Sequence, residues 1–146
     1  MRTIHPAALA ILFFAVSGCN ESQSGGSSTL CALQTKVSEG THTRVRTSGV
    51  YFDRLERRTI EDPKCAERAT WVEFDLSSQE NEAALRQSVN STGTAKVVFE
   101  GDFYGPPQPD PKLPESMRKA FRPRWGHLGC CQTKLVVHSI KEVAHN

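Results

Sequence analysis

Five cysteines and one glycine-flanked histidine carry most of the reactive chemistry in this 146-residue chain. Cys19 stands apart near the N-terminus, while Cys31, Cys65, Cys130 and Cys131 make an even set in the remainder of the chain. In an oxidising compartment an even set reads as a disulfide framework, and four cysteines allow three connectivities. A bridge between the neighbours Cys130 and Cys131 would join α-carbons about 3.8 Å apart, below the roughly 4.4–6.8 Å that disulfides normally span. The favoured arrangement is a Cys31–Cys65 bridge, with Cys130 and Cys131 either free or weakly paired. On the chain-entropy model the first bridge contributes about 3–4 kcal/mol.

His127 lies in Gly126-His-Leu-Gly129, within four positions of Cys130 and Cys131. Imidazole and thiolate at that spacing suit a soft or borderline metal, so a metal- or haem-handling role is the alternative function. A closed zinc site needs four ligands, and adjacent strand residues point to opposite faces. The preferred reading is structural: His127 bonds backbone carbonyls in a glycine-flanked turn, and no cofactor is expected. Catalysis finds little support. Gly-x-Ser-x-Gly and His-Glu-x-x-His are both absent, and Glu73/Asp75 and Glu100/Asp102 sit at i, i+2 on the polar faces of strands. A non-enzymatic protein is expected.

Recognition chemistry concentrates in Arg118, Arg122 and Arg124, next to Trp125. Guanidinium groups beside an aromatic ring suit an acidic glycan, a peptide or lipid headgroups, and these four residues are the expected rim of a ligand site. The whole chain carries a net charge of only +2. That is too weak a balance for a nucleic-acid partner, which calls for a strongly basic face.

The elements that must position these groups follow from periodicity and punctuation. Ser28 or Thr29 caps a helix over 30–37, with Leu30, Leu33 and Val37 on one face and Gly40 ending it. Residues 43–52 alternate as a strand whose phase shifts after Gly49, as a bulge would produce. A second strand over 54–60 pairs with it as a hairpin, and Asp62-Pro63 turns the chain. The Cys31–Cys65 bridge would tie the first helix to this connection. Residues 71–76 place Val72, Phe74 and Leu76 on one face, with Trp71 on the other and expected to pack. Ser77-Ser-Gln-Glu80 matches a capping box and opens a helix to about Val89. In 94–104, Ala95, Val97, Phe99 and Phe103 face one way. Residues 105–124 hold six of the eight prolines and read as one long loop. A last strand covers 135–143.

Helix, three strands, helix, two strands is the layout of the OB-fold; a β-sandwich would need about seven strands. The expected fold is therefore mainly β: a small five-stranded antiparallel OB-like barrel with two short helices. Such barrels bind with the strand 2–3 face and flanking loops, one of which joins strands four and five.

The N-terminus decides where this barrel works. Arg2 precedes an apolar run from Ala7 to Val16, and small residues then lead to Cys19 and the polar stretch 20–28. This is the order of a cleaved secretory signal peptide, and the run is too short to span a bilayer core, which takes roughly 20 apolar residues. Val16-Ser17-Gly18-Cys19 resembles the lipobox of bacterial lipoproteins. The resemblance implies cleavage before Cys19 and its acylation, with a membrane as partner through the N-terminal lipid. Residues 1–18 are then signal peptide, 19–29 the lipidated cysteine and flexible tether, and 30–146 the barrel. Asn20 after the cysteine implies the periplasmic face of the outer membrane. Two or more acyl chains hold stably.

Leu30-Cys31-Ala-Leu33, Asp62-Pro63-Lys-Cys65, Trp71-Val-Glu-Phe74 and Trp125-Gly-His-Leu-Gly129 together resemble a bacterial domain of unassigned function in exported and lipid-anchored proteins. That domain usually has Ala-Tyr where this chain has Cys130-Cys131. The resemblance implies an OB-like fold more than an activity. The expected function is a lipid-anchored cell-envelope binding or accessory module, with an envelope protein or glycan as partner.

Overall fold

The computed structural model describes residues 27–65 and 68–144; the leader, Cys19 and the chain to residue 26 lie outside them. Five strands form the body: β1 (His42–Arg54), β2 (Arg57–Glu61), β3 (Thr70–Phe74), β4 (Thr94–Tyr104) and β5 (Thr133–Ala144). They hydrogen-bond in the order β1-β2-β3-β5-β4, and β4 returns to β1, so the sheet closes into a barrel. One pairing departs from the expected antiparallel sheet. β3 and β5 run parallel, from Thr70 opposite Thr133 to Phe74 opposite Val137, so the sheet is mixed. The cause is topological, because β5 must run antiparallel to β4 while filling the remaining gap beside β3.

Side chains that alternate inward fill the barrel. Ala95, Val97, Phe99 and Phe103 of β4 are buried, as the sequence pattern requires. Tyr51, Phe74 and Phe99 meet edge to face with ring centroids 5.6–5.8 Å apart, the arrangement that aromatic quadrupoles favour. Threonines take the inward slots that apolar residues leave: Thr70 and Thr133 hydrogen-bond each other at 2.8 Å across the parallel pair, and Thr47 donates to the Ser28 carbonyl. Among the described residues no buried side-chain nitrogen or oxygen lacks a partner.

The expected phase shift in β1 is absent. Val45, Thr47 and Tyr51 all point inward, and the β1–β4 register runs without a break from His42 to Phe52. Gly49 holds the inward slot between them, where a β-carbon would lie 2.8 Å from Ile60 Cγ1 and from the Glu61 carbonyl oxygen. The irregularity lies instead in β5. Gly101 pairs with Val137 and Glu100 with Ser139, so His138 is skipped; Lys141 is skipped between Ile140 and Glu142. These are β-bulges, and the side chains of both skipped residues meet acids of β4.

Helices close the two ends. In α1 (Leu30–Lys36), Thr29 Oγ1 accepts the Ala32 N–H as an N-cap, and Leu30 and Leu33 are buried. The Cys31–Cys65 disulfide, with α-carbons 5.9 Å apart, ties α1 to the β2–β3 connection. In α2 (Glu82–Thr92), Leu85 is buried and Val89 packs on the core. The expected capping box does not form. Ser77 Oγ and Asn81 Nδ2 donate to the His138 and Ile140 carbonyls of β5, and the N-cap position moves from Ser77 to Asn81, four residues later than predicted. A third helix, α3 (Glu115–Ala120), stands inside the segment expected to be all loop, so the described residues hold three α-helices and not two. Two residues expected to belong to a flexible tether are engaged, since Ser27 bridges to Arg46 and the Ser28 N–H donates to the Arg46 carbonyl.

Candidate functional site

The largest departure from the barrel is the excursion between β4 and β5, residues 105–132. Proline fixes φ and removes donors, so residues 106–114 cannot join a sheet, and Pro114 leads directly into α3. The excursion is held at its base. The Gly40 N–H donates to the Pro106 carbonyl at 2.8 Å, and Trp125 and Cys131 exchange two backbone hydrogen bonds of 2.7 and 3.1 Å. Trp125 Nε1 donates to the Gly105 carbonyl at 2.9 Å.

Lys134 locks this base to the sheet. Its ammonium lies 4.1 Å from the Trp125 ring centroid and 5.1 Å from that of Tyr104. It also pairs with Glu73 Oε2 at 3.1 Å, with the lysine side chain only 14% exposed. Cation–π contacts that are this well covered are worth about 2 kcal/mol. His42 stacks on Tyr104 beyond it, Trp71 donates to Glu73, and the Trp71 ring packs on Gly126, as expected of a packing residue. Trp125 is therefore half-buried and holds the excursion in place.

The other rim residues stand differently. Arg118 lies on α3, Arg122 and Arg124 follow it, and all three are exposed. Among the described residues none of the three makes an ion pair, and α3 has no buried residue. Met117 and Phe121, at i, i+4 on the same segment, are 57% and 70% exposed. Their helical spacing was present in the sequence, but the surrounding prolines masked it.

The groups considered for metal binding do not converge. His127 Nε2 lies 2.6 Å from Glu56 Oε2 in the β1–β2 turn. Cys130 and Cys131 form a disulfide with each other, one residue exposed and the other buried. Among the described residues, three potential ligand atoms come together only at Cys31, Asp62 and Cys65, and two of those atoms are sulfurs already bonded to each other. The His127 turn also carries Leu128 at φ 54°, as Leu55 does at φ 52° in the β1–β2 turn. Bulky residues rarely adopt that region.

Two further arrangements were not foreseen. On the outer surface of the barrel, Arg44 reaches Glu100 and Asp102, Lys141 reaches Glu100 at 3.4 Å, and His138 Nε2 lies 3.0 Å from Asp102 Oδ2. His138 Nδ1 faces the Asp75 carbonyl at 3.0 Å. The Asp102 hydrogen bond, then the Asp75 carbonyl, raise the His138 pKa against the effect of burial. Burial pushes Glu100 upward, but Lys141 and Arg44 outweigh it and leave its carboxyl below the ordinary range. With both ring nitrogens occupied, His138 has none free to take a proton from a nucleophile. The second is a cavity of about 340 Å³ between α2 and the β1–β2 end. Its floor is apolar, from Phe74, Leu85 and Ile140, and its arginines are matched: Arg58 by Asp53 and Arg86 by Glu82. Burial, then the Asp53 carboxylate, hold the Tyr51 hydroxyl there far above its usual range, so it remains a neutral donor to Asp53.

Compared with known proteins, the chain matches no family model, no curated protein and no solved structure.

Proposed function

We propose that this protein is a lipid-anchored, non-enzymatic binding or accessory module of the bacterial cell envelope, an OB-like barrel tethered through Cys19 on the periplasmic face of the outer membrane. One observation carries the binding role. The 105–132 excursion is fastened to the barrel by Trp125 and Lys134, yet its α3 segment buries nothing and leaves Arg118, Arg122 and Arg124 without ion pairs among the described residues. A closed sheet offers no free strand edge, so recognition falls to loops, and this is the longest. The ring order with parallel β3 and β5 supports the OB-like reading, whose binding loops include the one between strands four and five. Support for the anchor is the order of Arg2, the apolar run, Val16-Ser17-Gly18-Cys19 and the polar stretch after it. Against catalysis stand the fully bonded His138 and the matched charges around the Tyr51 cavity.

The test is crosslinking and recovery from intact cells. The parent protein should recover with the membrane fraction together with a defined envelope component. Arg118→Ala/Arg122→Ala/Arg124→Ala should lose that component while the protein stays in the membrane fraction. Unchanged recovery by the triple variant would contradict the assignment.

A further inference from the structure

We infer that the α3 segment is a membrane-surface contact, and that its occupant is an anionic phospholipid headgroup layer. Residues 115–124 hold Arg118, Lys119, Arg122 and Arg124 against the single carboxylate of Glu115, in a chain whose net charge is +2 overall. Lys119 pairs with Glu115 at 2.7 Å, which leaves three guanidinium groups on one short stretch without an ion pair among the described residues. Met117 immediately precedes Arg118 and Phe121 immediately precedes Arg122, the two apolar residues lying four apart, both largely exposed and on a helix with no buried residue. The Phe121 N–H still donates to the Met117 carbonyl at 2.8 Å, which keeps these two residues on one side of the helix. Arg118 is next to Met117 on the helix, and Arg122 follows Phe121 where the backbone turns extended.

That pairing of an apolar stripe with flanking cations is the signature of an interfacial segment. The apolar groups enter the headgroup boundary, while the guanidiniums hold phosphates bidentately. An acidic glycan would satisfy the arginines but leave Met117 and Phe121 in water. A lipid surface satisfies both. Distance also allows it, because the eight residue steps from Cys19 to Ser27 reach roughly 28 Å when extended, so an anchored barrel stays within touching range of its own bilayer. The proposal rests on the lipid-anchor reading for this proximity alone.

The experiment uses the full chain carrying Cys19→Ser, so that no acyl chain contributes. Its partitioning is measured on phosphatidylcholine vesicles with and without phosphatidylglycerol. The result expected is at least tenfold stronger binding to the anionic vesicles, weakened by salt. Met117→Ser/Phe121→Ser and, separately, Arg118→Gln/Arg122→Gln should each abolish that preference with the thermal unfolding midpoint unchanged. The apolar leader is common to all these chains, so it cancels in the comparison. Equal binding by parent and variants overturns the proposal, as does retention on a polyuronate matrix without any preference for anionic vesicles, which would make the occupant a glycan. If instead the native protein proves to carry an unmodified Cys19 while vesicle binding behaves as expected, the anchor reading fails and the surface contact stands.

Discussion

His138 shows how far one residue's chemistry depends on neighbours remote in sequence. Its two ring nitrogens face acceptors from β4 and from the end of β3, the Asp102 carboxylate and the Asp75 carbonyl. Both nitrogens can donate only when the imidazole is charged, and the folded pKa is accordingly raised above 6.5. The sign comes from linkage. The charged ring's contribution is fully present below the unfolded value and is lost as pH rises through the folded one. The unfolding midpoint should therefore fall as pH increases above about 6.5. His138→Gln should flatten that fall, with little change in the acid limb, where the lowered carboxyl of Glu100 acts. Parallel pH profiles of parent and variant would contradict this. Nothing in the sequence marked His138, because its partners assemble only when the sheet closes. The Cys31–Cys65 bridge was legible, since it ties the first helix to the β2–β3 connection; the strain of bridging neighbours argued against a Cys130–Cys131 pair, which nevertheless forms.

At the scale of elements, legibility tracked whether inward positions were large and apolar. β4 is legible because Ala95, Val97, Phe99 and Phe103 mark its inner face without ambiguity. β1 misleads because its inner face carries Thr47 and Gly49, while Val50 and Phe52 lie half-covered outside. The bulges at His138 and Lys141 left no composition signal at all. The parallel β3–β5 pairing was equally hidden, being set by the order in which strands close the ring and not by either strand's residues. Gly101 sits beside one of these bulges, where an added β-carbon would overlap the Val136 carbonyl oxygen. Backbone cannot step aside as a side chain can, so Gly101→Ala should cost about 3 kcal/mol, read as a lower urea midpoint. An unchanged midpoint would mean that β4 and β5 are not so closely apposed. Cys31→Ser should cost a similar amount, roughly 3–4 kcal/mol, because it releases α1 from the β2–β3 connection. A stability loss below about 1 kcal/mol would show that the bridge adds little to this end of the barrel.

For the whole molecule, the 105–132 excursion stands out from the closed barrel, and in the proposed function it is the part that meets a partner. Trp125 was expected at the rim of a ligand site; it instead anchors the excursion through Gly105 and Lys134, leaving the arginines of α3 and its C-terminal flank to face outward. Lys134→Gln should loosen this base by about 1–2 kcal/mol and speed protease cleavage within 105–132 while the barrel strands stay protected from hydrogen exchange. Cleavage at the parent rate would refute that role. The proposed place of work rests on residues 1–26, which only the sequence addresses. Intact mass measurement of the protein extracted from the cell envelope tests this most directly. The account predicts a chain that begins at Cys19 and carries the added mass of a diacylglyceryl group. A chain that begins at Met1, or one whose Cys19 is an unmodified thiol, would contradict it.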